Sequence, residues 1–151
     1  MSPVGIEKYK HKIQVRVRTY EVDSQGIVHN AVYLQYLETG RIEYRRSLGY
    51  TILPNGIFND GLKPVVVNNT INYKSFAFLD DLLNVHTRIE WIKNSSFCFD
   101  QIIENDNTKA LICEAKGILV NLHPLNNTPE TLAEKFTNDI KQFEHELKLI
   151  K

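Results

Sequence analysis

The sequence is poor in the residues from which metal centres and disulfide frameworks are built. Its 151 residues include two cysteines, one tryptophan and one methionine. Cys98 and Cys113 lie in apolar runs without C-x-x-C spacing, so neither a zinc site nor a disulfide framework is indicated. The five histidines are isolated from one another, and none stands at a metal-ligand spacing. We therefore expect no bound metal and two small core thiols in a reducing compartment.

Net charge and long apolar runs are also missing. The 18 basic and 18 acidic residues cancel, so no broad field favours nucleic acid or an anionic membrane. No apolar run approaches the roughly 20 residues of a membrane span, and the N-terminus lacks an apolar signal core. These absences predict a soluble, cytoplasmic protein that neither binds nucleic acid nor spans a membrane.

Two common catalytic signatures are absent as well. The seven glycines are dispersed, so there is no phosphate-cradling loop, and no G-x-S-x-G motif marks a serine nucleophile. The length fits one domain, and we treat residues 1–151 as a single unit. A chain this short is small for an enzyme that encloses a long ligand, so a second subunit should complete part of any site.

Alternation of apolar and polar residues predicts most of the sheet. A first strand is expected over residues 13–22, delivering Asp23 at its end. Four more strands follow between residues 65 and 120 as an antiparallel meander with short turns. Asn68 and Asn69 predict a bulge in the first of these four. The pattern therefore indicates an antiparallel sheet of about five strands.

Two helices accompany this sheet. Helical periodicity over residues 31–48, with Asn30 as N-cap and Gly49 as C-cap, predicts a long helix that is apolar on more than one face. Gly40 in its interior indicates a contact point where the backbone of the sheet comes close. Thr128 as N-cap and Pro129 as first residue predict a C-terminal helix with one apolar face. The fold class is thus α+β, with the sheet curled around the central helix.

The turn before the central helix is the strongest candidate site. Asp23 to Gly26 fits a type I turn, which places a carboxylate one short loop ahead of a helix N-terminus. Free N–H groups at that end suit a developing oxyanion. The residues alone leave open that Asp23 serves only the turn.

A spaced motif surrounds this turn. The pattern Asp23-x-x-Gly26-Ile27-Val28-x-Asn30-x-x-Tyr33, followed by Glu38-x-x-Arg41, resembles the signature of the 4-hydroxybenzoyl-CoA thioesterase-like branch of the hotdog-fold superfamily. Tyr73-x-x-x-Ala77 followed by Asp80 or Asp81 extends the resemblance, which covers roughly residues 10–135. It implies a hotdog fold and hydrolysis of an acyl thioester of coenzyme A or of an acyl carrier protein.

The resemblance also implies roles for individual residues. Asp23 would be the nucleophile or the general base for water, and the sequence leaves both open. The main-chain N–H of Asn30 would polarise the thioester carbonyl. Gly26, Val28, His29 and Tyr33 complete the expected substrate-binding segment.

Two further groups are weaker candidates, because each has an ordinary explanation. Glu38 and Arg41 would lie near the partner subunit's site, or form a simple helix ion pair. Lys93, Ser95 and Ser96 would contact the nucleotide end of coenzyme A, although the polarity of a hairpin explains them equally well.

The resemblance implies a homodimer joined edge to edge through the sheets, and a pairing of two dimers into a tetramer. No cofactor is implied beyond coenzyme A as part of the substrate. Two alternatives remain at this level. One is a non-catalytic hotdog protein that binds acyl thioesters, and the other is a hotdog hydratase or dehydratase that pairs Asp23 with His29.

Overall fold

The computed structural model describes residues 2–151, in which an antiparallel sheet packs around one long helix. The strand order is β1-β3-β4-β5-β2, and a short β6 pairs in parallel with β3. This confirms the predicted fold class, with β6 raising the strand number to six. The predicted four-strand meander is only partly right: β3, β4 and β5 follow one another in the sheet, but β2 crosses over to pair with β5 and not with β3. The elements are β1 (His11–Arg16), α1 (Asn30–Ser47), β2 (Pro64–Tyr73), β3 (Leu82–Ile92), β4 (Ser96–Asn105), β5 (Leu111–Asn121), α2 (Glu134–Phe143) and β6 (Lys148–Leu149). No helix among the described residues is long and apolar enough to cross a membrane.

The central helix α1 is enclosed along most of its length, as its two apolar stripes predicted. Leu37 and Tyr44 are completely buried, one in each of the two core clusters that the sheet covers. The helix begins one residue earlier than expected, and its N-cap is His29 rather than Asn30. No side chain caps it; the His29 N–H donates to the carbonyl of Glu21, at 3.1 Å. Main-chain pairing therefore fixes the start of the helix.

Gly40 is the closest point between α1 and the sheet. A Cβ at this position would lie 2.8 to 2.9 Å from side-chain atoms of Val85, Thr87 and Gln101. Gln101 is fully buried and donates to the main-chain oxygen of Leu37 at 2.9 Å. The predicted close approach is therefore present, but it is made with side chains of β3 and β4 and not with the backbone of the sheet.

Gly40→Ala should lower the free energy of unfolding by about 1–2 kcal/mol, measured by urea denaturation. Alanine is the better helix former, but the added methyl group would have to displace packed side chains of the sheet. The neighbouring substitution Thr39→Ala, at an exposed position, should change stability by less than about 0.5 kcal/mol. An unchanged or raised stability of Gly40→Ala would show that the contact is loosely packed.

Two element boundaries differ from the sequence predictions. The first strand ends at Arg16, and a 3-10 turn over Thr19–Glu21 leads to the Asp23 loop. The last helix begins at Glu134 and not at Pro129, with Ala133 rather than Thr128 as N-cap. Pro129 instead bridges to Leu122. The chain after Thr128 is held in extended form along the end of β5, which overrides the local helix-start signal.

Strand β2 forms an open edge of the sheet. It pairs with β5 on one side only, and its register shifts between Val66 and Asn68, which confirms the predicted bulge. Val65, Val66 and Val67 are 37, 48 and 57% exposed. An exposed strand edge with apolar side chains is a site at which a further strand can add.

Candidate active site

The Asp23 loop is a tight antiparallel turn. The Asp23 N–H donates to the Ile27 carbonyl at 2.9 Å, and the Gly26 N–H donates back to the Asp23 carbonyl at 3.0 Å. Gly26 has φ +78°, a conformation that side chains disfavour, which explains glycine at this position. Val22 and Val28 bridge below the turn. The loop is thus a fixed structure that leads directly into α1.

The two oxygens of the Asp23 carboxylate have different environments. Oδ1 accepts the main-chain N–H groups of Gln25 and Ile27, at 2.8 and 3.2 Å. Oδ2 makes no hydrogen bond to any of the described residues, and the side chain is exposed. One oxygen therefore serves the turn, while the other remains available to a substrate or to water.

The loop is anchored to the segment between β2 and β3. The Val28 N–H donates to the carbonyl of Ala77, and the Leu79 N–H donates to the carbonyl of Gly26, both at 3.0 Å. The Val28 amide is therefore already used by the fold. The Val28 side chain is buried and forms part of the wall of the smaller cavity described below. Asp81 is one of the two aspartates in this segment that the family resemblance included. It accepts the Phe78 N–H at 2.9 Å and so has a structural role.

The first turn of α1 presents a free donor beside this loop. Within residues 2–151 the Asn30 main-chain N–H has no hydrogen-bond acceptor, and Asn30 is exposed. The Asn30 carbonyl accepts the hydroxyl of Tyr73 at 3.2 Å. An unpaired N–H at a helix N-terminus carries partial positive charge and suits a carbonyl oxygen that becomes negative. His29 is also exposed, and its ring makes no hydrogen bond within the described chain.

Tyr33 forms the inner wall of this end of the helix. Its hydroxyl accepts the Ala77 N–H at 3.2 Å, its ring centroid lies 5.6 Å from that of Tyr73, and burial raises its pKa. A neutral, fixed tyrosine acts as a surface and not as a base. The two tyrosines border a cavity of about 240 Å³, which is also lined by Ile27, Val28, Asn30, Lys74, Ser75 and Phe76.

Glu38 and Arg41 lie in a second cavity. It measures about 450 Å³ and lies between the later turns of α1, the loop over residues 52–58 and β2. From Asn30 to Arg41 the helix rises by roughly 16 Å. In one protomer Val28, Asn30 and Tyr33 line the smaller cavity. Asp23, Gly26 and His29 belong to the adjoining loop and helix cap but do not line it, and Glu38 and Arg41 lie apart in the second cavity.

The 52–58 loop closes this second cavity. Phe58 is buried and Ile57 is exposed, and both line it. Arg45 lies 4.2 Å from the centre of the Phe58 ring and forms a buried ion pair with Asp60 at 2.7 Å. Sequence reasoning did not identify this pair, because nothing local connects residues 15 positions apart in a helix and a loop.

The predicted coenzyme A contacts lie at the β3–β4 hairpin. The Lys93 N–H donates to the Ser96 carbonyl, and the Ser95 carbonyl accepts the Asn121 N–H, both at 2.8 Å. The Lys93 ammonium lies over the ring of Trp91. None of the three predicted residues lines either cavity. Among residues 2–151 there is no group of three or more side chains able to hold a metal ion.

Comparisons with known proteins identify the class. The family model of the thioesterase superfamily matches residues 25–112. A putative esterase of Aquifex aeolicus is 32% identical over 79% of this chain and 91% of its own. The acyl-CoA thioester hydrolase YbgC of Escherichia coli O6:H1 is 31% identical over 85% of this chain and 93% of its own. The chloroplast acyl-acyl carrier protein thioesterase ATL3 of Arabidopsis thaliana is 30% identical over 87% and 70%.

Solved structures agree with this class. A thioesterase from Thermus thermophilus complexed with coenzyme A and Zn superposes with a TM-score of 0.72, at 26% identity over 88% of this chain and 98% of its own. The 1,4-dihydroxy-2-naphthoyl-CoA thioesterase Slr0204 from Synechocystis shares the fold with a TM-score of 0.79, at 18% identity over 89% and 98%. The chain belongs to the thioesterase superfamily, and the predicted family, hotdog fold and thioester hydrolase function are confirmed.

Proposed function

We propose that the protein hydrolyses acyl-CoA thioesters at the start of α1, with Asp23 supplying the reacting carboxylate. The observation that carries the proposal is that one fixed loop leaves two groups without a hydrogen-bond partner. They are the Asp23 Oδ2 near its start and the Asn30 N–H at its end. The N–H would stabilise negative charge on the thioester oxygen, a contribution of about 3 kcal/mol to lowering the barrier. A thiolate is a good leaving group, so one carboxylate and one donor suffice.

Hydrolysis can follow either of two routes. With Asp23 as general base, it takes a proton from water and the hydroxyl adds to the carbonyl carbon. The carbon–sulfur bond then breaks, and the proton passes from Asp23 to the leaving thiolate, which releases coenzyme A and the acid. With Asp23 as nucleophile, Oδ2 adds to the carbonyl carbon and the carbon–sulfur bond breaks to release the thiolate of coenzyme A. Water then opens the acyl-aspartyl anhydride to give the acid and the free Asp23 carboxylate. Both routes need an exposed carboxylate oxygen beside the donor.

We extend the proposal to a homodimer formed through the open edge of β2, with two dimers forming a tetramer. Antiparallel pairing of two β2 edges about a two-fold axis brings the Tyr73 end of one copy beside the Pro64 end of the other. The 240 Å³ cavity borders Tyr73 and the 450 Å³ cavity borders Pro64. The thioester would then stand at Asn30 of one copy, with its acyl group in the larger cavity of the second copy.

The nucleotide end and the compartment complete the proposal. Lys93, Ser95 and Ser96 would meet the nucleotide end of coenzyme A, because Lys93 is an exposed cation on an ordered hairpin. Cys98 and Cys113 are both buried free thiols, which fits a cytoplasmic location.

A thiol-release screen tests the proposed activity. Purified protein would be incubated with aromatic, short-chain and long-chain acyl-CoA and with acyl carrier protein thioesters, and free thiol followed over time. We expect catalytic release from at least one acyl-CoA. Ligand binding without thiol release would indicate a non-catalytic binder. Loss of the conjugated absorbance of a 2-enoyl-CoA without thiol release would instead indicate a hydratase that uses His29.

A further inference from the structure

The cavity around Arg41, which is the larger of the two described above, contains a cation that its apolar walls do not explain. Its volume of about 450 Å³ lies within the range of small-molecule sites. Phe58, Phe97 and Phe99 form part of its walls, as an aliphatic acyl chain would require. Arg41 lines the same cavity and is only 8% exposed. A purely hydrocarbon acyl group offers no acceptor for the N–H groups of a guanidinium at this position.

The hydrogen-bond partners of Arg41 are neutral. Nε donates to Oε1 of Gln101 at 2.9 Å, and Nη2 donates to Oδ1 of Asn69 at 3.0 Å. No carboxylate of residues 2–151 lies within 4.0 Å of the guanidinium, and Nη1 donates to none of the described residues. Burial of this cation lowers its pKa. A buried cation without a carboxylate is costly unless a ligand compensates for it.

The fold holds this guanidinium in place. It lies against Gly117 in the middle of β5, where a Cβ would overlap the Arg41 side chain. It also faces the ring of Phe99, with its central carbon 5.7 Å from the ring centre. With Nε and Nη2 already bound, Arg41 cannot extend into solvent without breaking both hydrogen bonds. The remaining N–H groups on Nη1 therefore have a fixed position.

Three other charged side chains line the cavity, namely Glu38, Arg45 and Lys63. Arg45 is neutralised by Asp60 in a buried ion pair. Glu38 is exposed at the cavity, three residues from Arg41 on α1, and forms no ion pair with it. Its charge acts on the Arg41 pKa in the raising direction, but burial outweighs it and the pKa is lowered. Lys63 is half-buried and donates to the neutral Oδ1 of Asn127. Arg41 is therefore the buried cation of this cavity that has no carboxylate within ion-pair distance among residues 2–151.

We infer that the larger cavity binds acyl groups whose far end carries a carboxylate, which accepts the free N–H groups of Arg41. The substrate class would be the monothioesters of dicarboxylic acids, with the thioester at Asn30 and the second carboxylate at Arg41. This inference rests on the proposed function and on the cavity's use as the acyl site. A charge-assisted bond in a water-poor cavity is strong enough to select such substrates over plain acyl chains.

The test compares ω-carboxyacyl-CoA with plain acyl-CoA of matched chain length, using the ratio of kcat/KM. At the best length the wild-type ratio should favour the carboxylated substrate by about 10- to 100-fold. Arg41→Met should abolish this preference. Asn69→Asp, nearly isosteric, would place a carboxylate against Nη2 and should also abolish it while plain acyl-CoA is still hydrolysed. Arg46→Met is the matched control, because Arg46 is an exposed arginine of α1 outside the cavity.

Each other outcome overturns the inference. A wild-type enzyme that prefers plain acyl-CoA has no carboxylate site. If the preference for ω-carboxyacyl-CoA survives Arg41→Met, another residue binds the carboxylate. Equal losses on both substrates in Arg41→Met and Asn69→Asp, with an unchanged ratio, would make Arg41 purely structural. If no thioester of either kind is cleaved, the proposed function itself fails and the inference fails with it.

Discussion

Replacing Asp23 by asparagine should lower kcat by about 10²- to 10⁴-fold on the best acyl-CoA substrate, with little change in thermal stability. Asparagine retains an Oδ1 that can accept the Gln25 and Ile27 amides, so the turn is kept. It replaces the unbound Oδ2 by an amide nitrogen, which can neither accept a proton from water nor attack a carbonyl. This one substitution therefore separates the structural role of Asp23 in the turn from its chemical role in hydrolysis. The measurement is thiol release at saturating substrate, together with a thermal melt.

The neighbouring substitution Ser24→Ala is the control for Asp23→Asn. Ser24 lies in the same exposed turn, and its side chain makes no hydrogen bond within residues 2–151, so activity should be retained. Full activity of Asp23→Asn would remove Asp23 from the mechanism. A drop in melting temperature that parallels the loss of activity would show that Asp23 acts only through the turn.

A single turnover in ¹⁸O-labelled water then tests the wild-type enzyme for the nucleophilic route. If Asp23 is the nucleophile, water that attacks the carbonyl of the aspartyl side leaves ¹⁸O in the Asp23 carboxylate, measured by peptide mass. If Asp23 is the general base, the label appears only in the released acid, as it also does when water opens an anhydride at its acyl carbonyl. Label in Asp23 is therefore the result that assigns the nucleophilic route.

The fold was predictable from the sequence where the local pattern and the tertiary packing agree. The apolar stripes of α1 predicted its enclosure, because Leu37 and Tyr44 recur at helical spacing and both face the core. The β3–β4–β5 meander was predictable for the same reason, whereas the pairing of β2 with β5 was not, because no local pattern specifies it. The start of α2 was not, since Thr128 and Pro129 carry a strong local signal that long-range pairing with β5 overrides.

The candidate site was predictable only in part. The Asp23 motif is contiguous in sequence, so the turn and the helix start could be recognised together. The cavity around Arg41 depends on contacts with Asn69, Gln101 and Gly117, which lie 28 to 76 positions away and have no local pattern. Glu38-x-x-Arg41 suggested a helix ion pair, and the structure shows none. Only the assembled sheet shows that Arg41 is bound by amides instead.

Val67→Glu should convert the proposed dimer to monomers and lower kcat/KM by about 100-fold or more, because the acyl group would lose the second copy's cavity. Val67 is 57% exposed and lies near the middle of β2, so a two-fold axis through the paired edges would set the two glutamates close together. Like charges facing across an interface oppose association. Oligomeric state would be followed by light scattering after size exclusion, and activity by thiol release.

Two control variants make the Val67→Glu result specific. Val67→Thr keeps the β-branched shape without charge, so the dimer and the activity should remain. Leu125→Glu adds the same charge at a position that is 88% exposed and outside β2, and it should change neither property. A monomeric Val67→Glu protein with wild-type kcat/KM would show that one copy holds a complete site. In that case the acyl chain would have to follow α1 for roughly 16 Å from Asn30 to Arg41 within a single protomer, which favours long chains. The optimum chain length of the wild-type enzyme therefore provides a second, independent measure of whether the two cavities meet across an interface.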